Sequence, residues 1–415
     1  MGINLEKIGS QAKAASYELG LVSATNKNKI LLAMAAALRI STSEILAANQ
    51  QDLSAATGLV KSFVDRLTLD ESRIEKIAQG LEQVATLPDP LGNVTNGWIN
   101  HAGLQITQKR VPLGVVGIIY EARPNVTVDA AALCFKSGNA VILRGGKEAF
   151  NTNLKLVEIL QMTLKENGYS ENAIQILTDT SHEVANEFMQ LTDYLDVLIP
   201  RGGAKLIQTV MENAKVPVIE TGVGNCHIYV DQTADLEMAE KIIVNAKCQR
   251  PAVCNAAEKL LIHEAIANRY LPKIVAELKK YNVEIRADEA ALDILQGAAI
   301  RATAEDWDTE YNDYILGVKV VSSVDEAIKH INQHGTKHSE TIVTNDYKKS
   351  QQFLEQIDAA AVYVNASTRF TDGFEFGFGA EIGISTQKLH ARGPMGLEAL
   401  TTTKYVVRGN GQIRE

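Results

Sequence analysis

The stretch VVGIIYEARPNVTVDAAALCFKSGNAVILRGGK, residues 115–147, decides the fold. It opens with a continuous apolar run at 115–119 and closes with another at 140–143, and such runs are typical of strands buried on both faces. Further strand-like runs, separated by helical stretches, follow at 174–177, 195–199, 216–219 and 228–230. This alternation predicts an α/β fold with a doubly wound parallel sheet.

The regions on either side show other patterns. The first 90 residues carry apolar side chains at helical spacing, whereas residues 104–111 alternate apolar and polar side chains and predict an edge strand. After residue 231 the rhythm restarts, with strand-like runs at 259–262, 317–321, 341–343 and 361–364, which predicts a second α/β domain. The strand-like tail at 404–408 is expected to pair elsewhere, for example on another subunit.

The composition narrows the functional class. A chain of 415 residues is expected to form two or three domains, and 46% hydrophobic with 22% charged residues is typical of a globular protein. A net charge of −9 without a basic block makes nucleic acid and membrane surfaces poor partners. Four cysteines without CxxC spacing indicate a reducing compartment, and neither a signal pattern nor a bilayer-length apolar run is visible, so we expect a cytoplasmic location.

Two of the strand-like runs end in glycine turns that carry cations. The turns are Arg144-Gly145-Gly146-Lys147 and Arg201-Gly202-Gly203. Ligands of open parallel sheets bind beyond the carboxyl ends of the strands, where glycine lets the backbone approach phosphate. Neither turn is a GxGxxG fingerprint or a P-loop, which disfavours ATP. A ribose 2′-phosphate needs a cation, so Arg144 and Lys147 favour NADP(H) over NAD, with simple strand-to-helix turns as the alternative.

A candidate nucleophile lies in the segment Gln249-Arg250-Pro251-Ala252-Val253-Cys254-Asn255. A thiolate is a strong nucleophile, and a nearby cation such as Arg250 or a helix N-terminus lowers the pKa of a thiol. Glu220 lies upstream in Glu-Thr-Gly and is a candidate polar partner. The alternative for Cys254 is a small buried hydrophobe, and for Arg250 an ion pair or a phosphate contact.

Several strings of the chain resemble one enzyme family. They are Arg123-Pro124-Asn125-Val126-Thr127, the run from Ser137 to Gly146, Gln249-Arg250-Pro251 through Cys254-Asn255, Val364-Asn365-Ala366-Ser367-Thr368-Arg369-Phe370 and the run from Gly379 to Thr386. The family is that of the gamma-glutamyl phosphate reductases, or phosphorylating, NADP-dependent glutamate-5-semialdehyde dehydrogenases, in the aldehyde dehydrogenase superfamily. The resemblance implies NADPH-dependent reduction of L-glutamyl 5-phosphate to L-glutamate 5-semialdehyde, the second step of proline biosynthesis from glutamate.

The same resemblance implies an aldehyde-dehydrogenase-like domain arrangement. An NADP-binding domain is expected at 1–231, interrupted by oligomerisation strands near 100–113. A catalytic domain with Cys254 is expected at 232–395, and a C-terminal oligomerisation strand at 396–415. A homo-oligomer follows from these strands.

The resemblance also implies residue roles. Cys254 matches the superfamily nucleophile, which forms a thioester with the acyl group. Glu220 matches a glutamate that activates water in hydrolytic relatives, a task that phosphate replaces here. The oxyanion motif Trp-Asn-Phe-Pro is replaced by residues 121–125, which leaves Asn125 as the candidate donor. The segment that binds the nicotinamide ribose falls at 314–318 without its glutamate, so that contact has no assigned residue.

The implied substrate carries an α-carboxylate, a phosphoryl group and an α-ammonium. Arginine donates paired N–H groups to carboxylate and phosphate, so Arg123 and Arg369 are the candidates for both anions. Glu381 is the candidate for the α-ammonium. Neutral hydrogen bonds are expected from Asn365, Ser367 and Thr368. Surface salt bridges are the alternative for the charged residues.

Two other functions compete with the reductase. A hydrolytic NAD(P)-dependent aldehyde dehydrogenase would use water in place of phosphate, and a non-catalytic binding protein would keep the fold alone. Functional pairing with glutamate 5-kinase is chemically reasonable because an acyl phosphate is labile in water.

No metal site is expected. His330, His334 and His338 follow helical spacing, but Gly335 is expected to end that helix. The cysteines other than Cys254 are expected to be small buried residues.

Overall fold

The computed structural model describes residues 3–58, 61–121 and 123–414. Up to residue 220 the elements are α1 (Leu5–Leu19), α2 (Ala24–Ile40), α3 (Thr42–Ala55), α4 (Lys61–Leu67), α5 (Glu71–Thr86), β1 (Val94–Ile99), β2 (Gln105–Pro112), β3 (Val115–Tyr120), α6 (Pro124–Lys136), β4 (Ala140–Arg144), α7 (Phe150–Glu166), β5 (Ile174–Ile176), α8 (His182–Phe188), β6 (Val197–Arg201) and α9 (Ala204–Asn213). Beyond it they are β7 (Cys226–Val230), α10 (Leu236–Cys248), β8 (Ala257–His263), α11 (Glu264–Lys279), β9 (Glu284–Ala287), α12 (Glu289–Leu295), β10 (Ile300–Arg301), β11 (Ile315–Val321), α13 (Val324–His334), β12 (Ser339–Val343), α14 (Tyr347–Gln356), β13 (Ala361–Val364), β14 (Ile384–Ser385), β15 (Gly393–Pro394) and β16 (Thr401–Arg408).

The described chain divides into two compact units. Unit 1 takes its residues from 1–220, 378–382 and 395–415, and unit 2 comprises 221–377 and 383–394. The boundary between the units precedes β7, because β7 pairs with β8 and β12 of unit 2, whereas the boundary expected from the sequence follows this strand. The assignment of cofactor binding and catalysis to separate domains stays a prediction.

The four-stranded sheet of unit 1 has the order β5-β4-β3-β6, and all its strand pairs are parallel. All six residues of β3 are buried, as the apolar run predicts. Arg144 at the end of β4 pairs with Ile119, and Arg201 at the end of β6 pairs with Tyr120. Both glycine turns therefore leave the same carboxyl edge of one sheet, which confirms the predicted α/β class.

One predicted strand of unit 1 is wrong. Residues 216–219 form only an isolated bridge, between Val218 and Leu198. Leu198 donates to the Pro217 carbonyl at 2.8 Å, and Ile219 donates to the Leu198 carbonyl at 2.9 Å. Proline has no amide hydrogen to donate to a sheet ladder, which fits the short pairing.

The helical prediction for the first 90 residues is confirmed by α1 to α5. Leu31, Met34 and Leu38 of α2 are fully buried. Ile74 and Leu81 of α5 are each 1% exposed. No single helix of the described ranges has the length and apolar character to cross a membrane, although the bent pair of α2 and α3 meets that requirement when taken together.

The three-stranded sheet of unit 1 corrects the prediction for residues 104–111 and confirms that the tail strand pairs outside the second α/β domain. Its order is β1-β2-β16, so β2 is the central strand and not the expected edge strand. The tail strand β16 pairs antiparallel with β2 of the same chain along its whole length, from Thr401 opposite Pro112 to Arg408 opposite Gln105. β2 is thus paired on both of its edges, although none of its side chains is buried.

Unit 2 contains a seven-stranded parallel sheet in the order β10-β9-β11-β8-β7-β12-β13. Its core is apolar, with Ile228, Leu260 and Val318 fully buried. The second predicted α/β domain is thus observed, with the outer strands β9 and β10 added to the predicted ones. These two were missed because β9 mixes exposed and buried positions and β10 has only two exposed residues.

The histidine-bearing helix α13 ends at His334 and is followed by Gly335, as expected from the sequence. His338 lies beyond it, next to β12. Across residues 3–58, 61–121 and 123–414, no group of three or more His, Cys, Asp and Glu side chains has the arrangement of a metal site.

Candidate active site

Cys254 lies in unit 2, on the loop between α10 and β8, and its side chain is partly exposed. The other three cysteines are buried, which confirms their predicted character. Burial raises the pKa of Cys248 to about 11 and that of Cys134 still further. Cys254 is therefore the cysteine of this chain whose side chain is accessible from solvent.

The main chain of Cys254 packs directly against Gly224. A Cβ atom built on Gly224 would lie 1.4 Å from the carbonyl oxygen of Cys254 and 2.7 Å from its Cα atom, so no side chain fits there. The Cys226 thiol donates a hydrogen bond of 3.1 Å to the same carbonyl oxygen. The segment that leads into β7 thus fixes one side of the Cys254 main chain.

Asn255 fixes the other side. Its side-chain amide donates to the Thr371 carbonyl at 2.9 Å and to the Arg369 carbonyl at 3.4 Å. The Thr368 hydroxyl donates to the Asn255 carbonyl at 2.7 Å. Asn255 is 5% exposed and Thr368 is fully buried, so these bonds are shielded from water. They bring two predicted substrate residues, Thr368 and Arg369, to the Cys254 loop.

The guanidinium groups of Arg250 and Arg369 lie close to each other near the loop that carries Cys254. Arg369 donates through Nε to the Gln249 side chain at 3.0 Å. Burial lowers the pKa of Arg369, the charge of Arg250 lowers it further, and Cys254 acts in the opposite direction. Two cations near a thiol form an environment that suits an anionic group and the thiolate itself.

Asn365 and Ser367 have structural partners. Asn365 has a φ of 56°, its side-chain carbonyl accepts from the Thr344 amide at 2.9 Å, and its side-chain amide donates to the Thr344 carbonyl at 3.0 Å. The Ser367 hydroxyl accepts from the Arg369 amide at 3.3 Å and caps the short turn Thr368–Phe370. Both side chains thereby shape the loop that carries Arg369, and their contact with substrate stays a prediction.

The remaining predicted site residues belong to unit 1. Glu220 is half-buried and ends the long first segment of that unit, and Glu381 is half-buried in its segment 378–382. Arg123 occupies the N-cap position of α6 without a capping hydrogen bond from its side chain, and Asn125 is exposed in the first turn of this helix. Asn125 donates to Asp129 at 3.0 Å. Burial raises the pKa of Asp129 to about 6 although Asn125 and Arg201 oppose the shift.

The turn after β4 is tightly packed. A Cβ atom on Gly145 would lie 2.5 Å from the Asn153 side chain and 3.1 Å from the Tyr120 ring, so the backbone must pass close to the sheet. Arg144 donates through Nη2 to the Thr180 carbonyl at 2.6 Å. Its Nε atom is buried and has no acceptor within the part of the chain that the structure describes. Burial lowers the pKa of Arg144.

A cavity of about 900 Å³ opens beside this turn. It is lined by Ile3, Asp52, Ala55, Ala56, Thr57, Lys147, Glu148, Phe150, Asn151, Thr178, Asp179 and Thr180. The Lys147 side chain is exposed, and within the described ranges no ion pair or hydrogen bond engages it. Asp52 is different, because its carboxylate accepts from the Asn151 and Thr152 amides at the start of α7 and from both side chains. The cation that the cavity presents is thus Lys147.

The second glycine turn is partly filled by an acid. Glu121 accepts a hydrogen bond from the Gly203 amide at 3.1 Å, and a Cβ atom on Gly202 would lie 2.7 Å from the Glu121 carboxyl carbon. The carboxylate occupies the start of α9, where a phosphate would otherwise find backbone donors. Of the two turns, the one that ends in Lys147 suits an anion better.

Comparison with known proteins assigns the family. The aldehyde dehydrogenase family matches residues 4–314 and 300–406 of the chain. The chain belongs to the aldehyde dehydrogenase family. Among relatives, a gamma-glutamyl phosphate reductase of Ligilactobacillus salivarius is 64% identical over 415 residues, with full coverage of both chains. One of Enterococcus faecalis is 63% identical over 413 residues and covers 99% of each chain.

A solved structure agrees with this grouping. The crystal structure of gamma-glutamyl phosphate reductase from Thermotoga maritima superposes with a TM-score of 0.98, at 49% identity and over 100% of both chains. Within the aldehyde dehydrogenase family the chain therefore groups with the gamma-glutamyl phosphate reductases.

Sequence reasoning missed several residues of this aldehyde dehydrogenase site. The sequence does not single out Gly224 or Glu121, and it presents Asn255 only as the neighbour of Cys254. Asp129 carried one readable signal, because it follows Asn125 by one helical turn. The contact of Gly224 with Cys254 has no signal in the sequence, since a sequence does not reveal which glycine packs against which backbone segment.

Proposed function

We propose that this protein reduces L-glutamyl 5-phosphate to L-glutamate 5-semialdehyde and phosphate, with NADPH as the reductant and Cys254 as the nucleophile. The observation that carries the proposal is the partly exposed Cys254 thiol, held between Gly224 and Asn255, on a chain 64% identical to a gamma-glutamyl phosphate reductase. The reaction would serve proline biosynthesis from glutamate.

In the first step, the Cys254 thiolate attacks the acyl carbon, and phosphate leaves as a thioester forms on the sulfur. The charges of Arg250 and Arg369 stabilise the thiolate and the leaving phosphate. Asn125 is proposed to donate to the acyl oxygen as its negative charge develops, which is the task of an oxyanion donor.

The second step returns the thiolate and releases the aldehyde. Bound NADPH supplies the hydride that reduces the thioester. Glu220 has no water to activate, because phosphate and not water is exchanged in this reaction, and it is proposed to hold the proton of the Cys254 thiol.

The cofactor proposal rests on the turn after β4. Lys147 faces a cavity of about 900 Å³, and the buried Arg144 Nε atom has no acceptor in the described part of the chain. These donors fit the 2′-phosphate that distinguishes NADP from NAD. Gly145 and Gly146 would let the cofactor approach the backbone. Arg201, Gly202 and Gly203 are secondary candidates because Glu121 fills their turn.

The charged groups of the substrate are matched with side chains of opposite charge. Arg369 would bind one anionic group next to Cys254, and Arg123 the other, since arginine forms paired hydrogen bonds with both carboxylate and phosphate. Glu381 would pair with the α-ammonium. Ser367, Thr368 and Asn365 would keep the Arg369 loop in place.

Assembly and location complete the proposal. The edge strands β1 and β16 expose Trp98, Ile99, Tyr405 and Val407, and exposed apolar edges favour pairing with a second copy of the chain. We therefore propose a homo-oligomer in the cytoplasm, with functional pairing to glutamate 5-kinase because the acyl phosphate is labile.

The test uses the reverse reaction, NADP reduction by glutamate 5-semialdehyde, followed by NADPH absorbance. Activity should depend on added phosphate, and Cys254→Ser should lower it by at least ~10³-fold because the nucleophile is lost. Equal rates without phosphate would instead identify a hydrolytic aldehyde dehydrogenase. Undiminished turnover by Cys254→Ser would remove the thioester mechanism.

A further inference from the structure

We propose that Glu310 is a positioning residue for Cys254, acting through the main chain of Gly224. The inference deepens the proposed function and rests on Cys254 being its nucleophile. Glu310 lies in unit 2, in the loop between the turn Glu305–Trp307 and β11, and is half-buried.

The first link is a hydrogen bond to the segment that touches the nucleophile. The Gly224 amide donates to Glu310 Oε1 at 2.8 Å. The Gly224 backbone in turn leaves no room for even one added carbon atom against the Cys254 main chain. Any displacement of Gly224 therefore changes the backbone surface against which Cys254 packs.

The second link is the attachment of the loop that carries Glu310 to buried charged side chains. The Lys259 ammonium donates to the Thr309 carbonyl at 2.8 Å, and the Asn312 amide donates to the Glu258 carboxylate at 3.2 Å. Glu258 is also paired with Lys247 at 2.9 Å, and all three charged side chains are fully buried on α10 and β8. Buried, paired groups of this kind are costly to displace, so both flanks of the Glu310 loop are anchored in the core of unit 2.

The third link is made by Asn225, the residue that follows Gly224. The Asn225 side chain donates to the carbonyl oxygens of Trp307 and His334, each at 2.8 Å, and its own amide donates to the Thr336 hydroxyl at 2.9 Å. Asn225 thus ties the same segment to the other end of the loop. The Glu310 carboxylate at Gly224 and these bonds at Asn225 together hold the segment before β7 against Cys254.

The chemistry requires an acceptor at position 310 and not its charge. Glutamine keeps an oxygen at nearly the same place, whereas alanine leaves the Gly224 amide without its acceptor. A hydrogen bond to a carboxylate is stronger than one to an amide, so Glu310→Gln should retain most of the function but not all of it.

The experiment compares kcat and KM of Glu310→Ala, Glu310→Gln and a control, with kcat expressed per Cys254 thiol that iodoacetamide alkylates. A displaced reacting group costs roughly 10²-fold in rate per ångström, so Glu310→Ala should lose ~10- to 100-fold in kcat with KM within ~3-fold. Glu310→Gln should recover to within ~5-fold of the wild type.

The control is Asp288→Ala, which removes another carboxylate of unit 2 that accepts backbone amides, those of Ala291 and Val320. It should lower the melting temperature without changing kcat per reactive thiol. A Glu310→Ala variant with unchanged kcat per thiol, or one that behaves like Asp288→Ala, overturns the inference. The proposed function would fail separately, through an active Cys254→Ser variant.

Discussion

Substitution of Gly224 by alanine tests the packing of the nucleophile directly. The added Cβ atom would lie 1.4 Å from the Cys254 carbonyl oxygen, whereas ordinary contact begins near 3.4 Å, so the two backbones must separate by about 2 Å. Misplacement of a reacting group by 1 Å costs about 10²-fold in rate, which sets a loss of at least ~10²-fold in kcat. The bond from the Gly224 amide to Glu310 would be strained by the same movement.

The assay follows NADPH oxidation with enzymatically supplied acyl phosphate, and circular dichroism verifies folding. Gly20→Ala is the matched control, because its nearest neighbours would lie 3.6 Å or more from the new Cβ atom and its φ is −61°. It should leave kcat unchanged. If Gly224→Ala retained kcat within ~3-fold of the control, the nucleophile would not depend on this contact and the reasoning would be refuted.

The remaining predictions concern the cofactor and pH. Lys147→Ala should raise KM for NADPH by ~30-fold, from loss of about 2 kcal/mol of charged hydrogen bonding, and leave KM for NADH unchanged; Lys29→Ala, which removes an exposed lysine elsewhere, should change neither. Equal effects on both cofactors would exclude a 2′-phosphate contact. For Asp129, burial raises the pKa to about 6, so the native state keeps a proton that the unfolded chain loses above pH ~4, and the associated stability is lost as pH rises through about 6. Urea unfolding should therefore show Asp129→Asn gaining about 1.4 kcal/mol on the wild type between pH 5 and pH 8, and a pH-independent difference would contradict this.

The sheets were predictable where the signal is local. Six buried residues in β3 and the fully buried β8 read directly as apolar runs. The pairing partners of the strands were not predictable, because the ladder of β2 with β16 joins positions ~300 apart in the chain, such as Gln108 and Tyr405, and nothing in either strand identifies the other. Residues 216–219 form an apolar run but only an isolated bridge, which fits the lack of an amide hydrogen on Pro217.

For the candidate site, the sequence predicts residues by their chemistry but does not predict their hydrogen-bond partners. Cys254 and Lys147 follow from residue type and neighbouring motifs. That Glu121 fills the Gly202-Gly203 turn, or that Asn255 reaches the Thr371 carbonyl, depends on which loops the fold brings together. Hydrogen bonds to backbone groups leave no mark in residue identity, because every residue offers the same backbone acceptor.

The pairing of β2 with β16 has a consequence for biosynthesis. On the ribosome, β2 emerges long before its partner, and at ~5–20 residues per second the wait is on the order of 15 to 60 seconds. During that interval β2 is paired on one side only, by β1, and its other edge is open to a strand from a neighbouring nascent chain. Polysomes that bring several copies together would therefore expose this protein to intermolecular strand exchange before each copy completes its own sheet.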